Sequence, residues 1–115
     1  MKGKATKLHS LVVRQRGVCE NCGMTDYAQL QCAHIVTRER NVTRCDPAAA
    51  FALCKGCHWT FTNDPLEWVD FVVDKIGREA YDDIQRRSKA GVKANDAYWQ
   101  GWIDRLTAML EEATT

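Results

Sequence analysis

No apolar run in this chain approaches the roughly 20 residues needed to cross a bilayer as a helix. Its opening residues, Met1-Lys2-Gly3-Lys4-Ala5-Thr6-Lys7, lead into an amphipathic pattern and lack the apolar core of a secretion signal. Both absences lead to the expectation of a soluble, cytoplasmic protein. There is no internal repeat, low-complexity segment or flexible linker, so residues 1–115 are expected to form one domain, within the usual range of about 50 to 250 residues. Net charge is nearly absent, at +1, but it is unevenly spread. Residues 1–60 hold nine Lys/Arg and four Asp/Glu and residues 61–115 hold seven and eleven, so the halves carry about +5 and about −4. A basic half is what a phosphate-binding surface needs, with the acidic half kept away from it.

What the chain does have is cysteine. Six cysteines without an export signal argue against a disulfide framework, because a reducing compartment keeps thiols available for metal or catalysis. Four of them form two pairs with a two-residue gap, Cys19-Glu20-Asn21-Cys22 and Cys54-Lys55-Gly56-Cys57. That gap lets two sulfurs of a tight turn reach adjacent corners of a tetrahedron. Cys19, Cys22, Cys54 and Cys57 are therefore the expected ligands of one structural Zn²⁺, with no position left open. With 31 residues between Cys22 and Cys54, such an ion would clamp a whole inserted hairpin. A redox-active pair is the alternative, and it lacks the strand and helix context of thioredoxin-like motifs. Cys32 and Cys45 remain, and such small, weakly polar side chains read as core fillers.

Leu8, Leu11 and Val12, with Ala5, recur at spacings of three and four, which predicts an opening helix from Ala5 to Arg16 that Gly17 stops. Cys19 to Gly23 reads as a metal knuckle whose glycine takes the left-handed conformation. Leu30 to Val36 has the β-branched and apolar character of a strand, and Val42-Thr43 offers two β-branched residues towards a second. Trp59, Phe61 and Thr62 continue as a helix after the second cysteine pair, and Asn63-Asp64-Pro65 ends it and caps the next. Leu66, Val69, Val72, Val73 and Ile76 keep helical spacing up to Gly77, followed by Tyr81 and Ile84 and then by Tyr98, Trp102, Ile103, Leu106 and Leu110. A loop is expected around Ser88 to Gly91. Trp59, Trp68, Trp99 and Trp102 read as core or helix-packing residues, and His9 as a surface residue of the first helix.

The series Cys19-x-x-Cys22, Ala33-His34-Ile35, Asp46-Pro47 and Leu53-Cys54-x-x-Cys57-His58 resembles the HNH endonucleases, in particular small phage-encoded and prophage-encoded members, over roughly residues 8–68. The resemblance implies an α+β fold: a zinc-stapled ββα-metal core with an N-terminal helix and a helical C-terminal extension over 69–115, where no nuclease signature occurs. It implies metal-dependent hydrolysis of DNA phosphodiester bonds, by nicking or double-strand cutting, alongside a phage terminase or recombination proteins. His34 then stands at the position of the general base, a role suited to an imidazole whose ordinary pKa lies near 6.5. His58 stands where the family binds its catalytic divalent ion, Mg²⁺ or Mn²⁺, which would neutralise charge growing on the scissile phosphate and the leaving oxygen. A spare zinc ligand is the competing role for His58. Arg38, Arg40 and Arg44 follow the general-base position, and their guanidinium groups suit bidentate bonds to DNA phosphates; a solvated charged loop is the alternative.

Two positions depart from the family pattern. Ala33 stands where a metal-binding Asp or His usually precedes the general base, and Ala49 stands where Asn is expected. Alanine neither binds metal nor orients an imidazole. Position 49 is thus either a substituted residue in an impaired enzyme or part of a subfamily that recruits other ligands, with Cys32, Asp46 or substrate and water oxygens as candidates. The reading from another class is a non-catalytic zinc module that binds DNA or a protein partner.

Overall fold

Ala5, His9 and Val13 follow one another at a spacing of four and are each wholly buried, and this stripe defines the first helix, α1 (Lys2–Arg14). The structure is a computed structural model that describes residues 1–113; residues 114 and 115, the end of the expected helical extension, lie outside the described residues. Helix α1 begins earlier than the periodicity predicts and ends at Arg14 with Gln15 as its C-cap, after which Gly17 turns the chain with φ +78°. The strand β1 (Leu30–His34) pairs antiparallel with β2 (Ala50–Cys54), from Leu30↔Cys54 to His34↔Ala50. Four helices follow: α2 (Lys55–Asn63), α3 (Pro65–Ile76), α4 (Arg78–Ser88) and α5 (Asp96–Ala113). The fold is α+β, with five helices and a two-stranded antiparallel sheet among the described residues.

The second strand is not where the sequence places it. Val42 and Thr43 lie in a run of tight turns, held by Arg40 N–H to the Thr37 carbonyl and Thr43 N–H to the Arg40 carbonyl. The strand is Ala50-Phe51-Ala52-Leu53-Cys54, every residue of it buried. Three of its positions are alanine or cysteine, so it lacks the β-branched signature. Burial on both faces rather than intrinsic preference selects it. Strand β1 is also shorter than expected, though the Ile35 N–H still reaches the Ala49 carbonyl at 2.9 Å.

Alternation along the strands sends the two faces of the sheet to different helices. Cys32, Ala50 and Ala52 pack with Val13 of α1. On the other face Ala33, Phe51 and Leu53 join Val72 of α3 and Ile84 of α4, with Phe61, Trp68 and Phe71 packed around them. Wholly buried Leu53 and Val72 each contribute about 1.5–3 kcal/mol of apolar burial. Helix α5 returns to the outer side of α1, where Trp99, Ile103 and Leu106 enclose Ala5, Val12 and Cys45. The acidic half is therefore not held apart from the basic half: α5 covers α1, and Arg87 of α4 pairs with Asp46 at 3.3 Å.

Local capping agrees with the sequence. Asp64 accepts from the Glu67 N–H at 3.2 Å with Pro65 in the first turn of α3, and Gly77, at φ +88°, separates α3 from α4. Trp99 is buried as expected, whereas Trp59 is 71% exposed, because α2 turns its Phe61 side to the core and leaves Trp59 on the solvent side. No helix among the described residues is long and apolar enough to cross a membrane.

Candidate functional site

The first cysteine pair sits on a knuckle that the sheet edge holds in place. Gly23 takes φ +81°, its N–H reaches the Cys19 carbonyl at 2.9 Å, and the Cys19 N–H reaches the Met24 carbonyl at 2.8 Å. Glu20 docks the knuckle on the free edge of β2: its N–H donates to the Ala52 carbonyl at 2.9 Å, and its carboxylate accepts from the Ala52 N–H at 2.7 Å. Arg16 ties the same carboxylate to the Ala50 carbonyl and reaches the Pro47 carbonyl at 2.8 Å. The second pair stands at the junction of β2 and α2, where Cys54 caps the helix and its sulfur accepts from the Cys57 N–H at 3.4 Å. A helix N-terminus favours negative charge, so it suits a thiolate pair.

The four sulfurs of Cys19, Cys22, Cys54 and Cys57 lie within 4.8 Å of one another, and the cluster is placed to hold a structural metal ion. The Cys22–Cys54 separation is 3.8 Å, far beyond a disulfide bond and equal to the tetrahedral edge of about 3.8 Å that zinc–sulfur bonds of about 2.3 Å generate. All four thiols are free, and Asn21 Nδ2 donates to the Cys57 sulfur at 3.3 Å. Burial raises the Cys19 thiol, but backbone N–H groups of Cys22, Cys54 and Asn21 outweigh it and hold the pKa at about 6. Burial pushes Cys57 up to about 12. A cluster of thiols that cannot all ionise side by side is what a divalent cation neutralises.

Behind the sheet lies a second cluster. His34, at the end of β1, places Nε2 3.0 Å from the Arg44 carbonyl. A carbonyl only accepts, so Nε2 carries the proton and Nδ1 keeps its lone pair. His58, in the first turn of α2, places Nδ1 2.7 Å from Gln31 Oε1, which leaves Nε2 as its free nitrogen. The two histidines share a cavity of about 100 Å³ with Ala33, Phe61, Thr62 and Trp68. Burial lowers both imidazoles; for His34 the nearby Arg38 and Arg44 add to it against the opposing Arg44 carbonyl. No family model, curated protein or solved structure matches this chain.

His9, expected on the surface, is wholly buried, since it falls in register between Ala5 and Val13 on the inward face of α1. Its Nε2 donates to the Asp46 carbonyl at 3.1 Å, its ring centre lies 4.9 Å from that of His34, and its Nδ1 lies 3.7 Å from the Cys32 sulfur. Burial and the neighbouring His34 hold His9 down at about 4, and burial pushes Cys32 up to about 11. The four-residue spacing Ala5, His9, Val13 was the available signal for this burial. Cys45 is wholly buried, as expected of a core filler.

The arginines divide. Arg38 is exposed and lines a cleft of about 270 Å³ beside His34, together with Arg14. Arg44 is engaged by the protein, Nε to Thr6 Oγ1 at 2.8 Å and Nη1 to the Arg38 carbonyl at 2.6 Å, and so braces the loop that supplies the carbonyl partner of His34. Tyr98 Oη adds a bond to the Asn41 carbonyl at 3.0 Å. Arg40 lies away from His34, in a concavity with Ser88 and Lys89, so the three do not form one patch beside it. Ala49 lies beside the base of the hairpin but is 1% exposed and packed in the core, not in an open loop. Asp46 is committed as cap of the turn Pro47–Ala49 and as partner of Arg87, which argues against it as a replacement ligand. A larger concavity, about 890 Å³, follows α4, but its Arg78 and Asp82 pair with each other at 3.3 Å as an ordinary charged helix surface.

Proposed function

We propose that this chain is a metal-dependent DNA endonuclease of the HNH type, with β1, β2 and α2 as its ββα-metal core and a structural zinc ion on Cys19, Cys22, Cys54 and Cys57. The observation that carries the reading is the paired state of the two histidines. His34 has one nitrogen fixed by the Arg44 carbonyl and the other free to take a proton, and it shares a cavity with His58, whose own free nitrogen can meet a cation. A lowered imidazole pKa keeps His34 neutral at pH 7, the form a general base needs.

The fit for Mg²⁺ or Mn²⁺ rests on His58 alone, because Ala33 offers no donor and no carboxylate lines the cavity. The remaining ligands would be phosphate and water oxygens, which such hard ions accept. When bound, the ion would offset charge on the scissile phosphate and the leaving oxygen. His34 accepts the proton of the attacking water at Nδ1. Its imidazolium is then oriented by Nε2–H on the Arg44 carbonyl, which strengthens as the ring gains charge. Arg38 and Arg14, on the adjoining cleft, would hold neighbouring phosphates of the strand. Service to a phage terminase or to recombination belongs to the same proposal.

A second reading is favoured by one observation: Ala33 and Ala49 are both buried and bear no donor. On that reading the chain is a zinc module that binds DNA or a protein without cutting. Plasmid nicking with Mg²⁺ or Mn²⁺ separates the two. The nuclease reading expects nicking that His34→Ala reduces at least about a hundredfold, within the usual contribution of a general base. No nicking by the parent chain under either ion, with DNA binding retained, would overturn it in favour of the module.

A further inference from the structure

We propose that His9, Cys32 and His34 form a second metal site, distinct from the four-thiolate centre, that takes a thiophilic first-row ion such as Zn²⁺ or Co²⁺. One ligand atom from each of the three lies within 4.8 Å of the others. The His9 Nδ1 to Cys32 Sγ separation, 3.7 Å, is close to the tetrahedral nitrogen–sulfur edge of about 3.6 Å given by ordinary zinc bond lengths. Both rings are already set for coordination. Each donates Nε2–H to a backbone carbonyl, His9 to Asp46 and His34 to Arg44, so each keeps Nδ1 unprotonated, and that of His9 faces the Cys32 sulfur. That outer partner fixes tautomer and ring plane and raises ligand basicity, as it does around histidine ligands generally.

The donor chemistry selects the ion. Two neutral imidazoles and a thiolate prefer zinc or cobalt, whereas Mg²⁺ and Mn²⁺ favour oxygen. On binding, three bonds form from the ion to the two Nδ1 atoms and to Sγ, and the Cys32 proton passes to solvent; nothing is oxidised or reduced. Three protein ligands leave a fourth position, and Cys32 and His34 both line the cleft shared with Thr6, Ser10, Arg14 and Arg38, so a water or an anion can reach it. A simpler arrangement, in which Cys32 S–H donates to His9, satisfies one ring only and leaves the His34 Nδ1 lone pair unused.

The site does not depend on the nuclease reading, but it bears on it. The same His34 nitrogen serves as base in that reading, so an ion held here would silence the base and make zinc an inhibitor of Mg²⁺-supported cleavage.

The test begins with protein carrying one equivalent of zinc, to which Co²⁺ is added while zinc content is monitored. The expected result is one further ion per chain, with a thiolate-to-cobalt absorption band, tetrahedral intensities and release of one proton. Cys32→Ser should abolish that band and weaken the second ion by at least the roughly 10–100-fold lost when even an outer partner is removed, while the first zinc stays. His9→Gln should do the same; if that variant fails to fold, the parent and Cys32→Ser decide. A parent chain that binds only one ion, or a Cys32→Ser chain with an unchanged cobalt spectrum, overturns the proposal. A parent that binds the second ion yet never nicks DNA in Mg²⁺ upholds the site and defeats the nuclease reading.

Discussion

Chelating the ion from the four-thiolate centre should lower thermal stability and loosen the knuckle first. The magnitude follows from chain connectivity. An ion held by the cluster would bridge Cys22 and Cys54, which are 32 positions apart and whose sulfurs lie 3.8 Å from each other. In excess zinc the unfolded chain also binds the ion, so the net stabilisation reduces to the loop entropy removed from the unfolded state. A crosslink closing a loop of that length is worth about 4 kcal/mol at 25 °C. For a chain of this size 1 kcal/mol moves Tm by roughly 3–6 °C, so the apo form should melt about 10–25 °C lower. The structure also predicts where order is lost. Residues 17–29 bury little besides Cys19, and the edge bonds of Glu20 and Arg16 are their other anchors. Helices α1 and α5 hold each other through Ala5, Val12, Trp99, Ile103 and Leu106, none of which touches the centre. Calorimetry with and without chelator, joined to amide hydrogen exchange, tests both parts. Amides of Cys19, Glu20 and Gly23 should lose protection well before those of α1. A Tm unchanged within about 2 °C, or a loss of protection spread evenly over the chain, would refute the reasoning.

Ala49→Asn should cost stability, about 1–3 kcal/mol by urea unfolding, because a carboxamide would replace a wholly buried methyl in the core. If position 49 serves the nuclease site, the same change should raise Mg²⁺-dependent nicking at least about tenfold, and His34→Ala should cancel the gain. Arg38→Ala should reduce the slope of log affinity for duplex DNA against log salt by about one, whereas Arg44→Ala should lower Tm as well, since its bonds to Thr6 and the Arg38 carbonyl brace the loop. Burial pushes the Cys45 thiol up to about 11 from an ordinary 9.0, so its stabilising protonated form persists in the fold after the unfolded chain has ionised. Stability should therefore be complete below pH 9 and fall between pH 9 and about 11, by up to about 3 kcal/mol, and Cys45→Ala should flatten that fall by one proton.

Much of the front half was legible from residue spacing alone. The paired cysteines, the left-handed Gly23, the Asp64-Pro65 cap and the break at Gly77 are local signals: each depends on a few consecutive residues, and each appears in the structure as read. What the sequence could not determine depended on partners distant along the chain. Strand β2 has no strand signature because its alanines pack closely on Val13 of α1 while Phe51 and Leu53 face Val72 of α3, and a strand buried on both faces needs no alternation. The polarity of His9 suggests solvent, and only the covering of α1 by the sheet and α5 makes its face interior. The division of labour among Arg38, Arg40 and Arg44 likewise waits on the turns of the 35–49 segment, which no periodicity encodes. Spacing within a turn thus marked each cysteine pair, because the geometry of a pair is short-range, whereas the sheet edge brings the two pairs together. Only the tertiary structure brought His9, 25 residues before it, to within a ring's width of His34, because long-range burial and not local preference sets that contact.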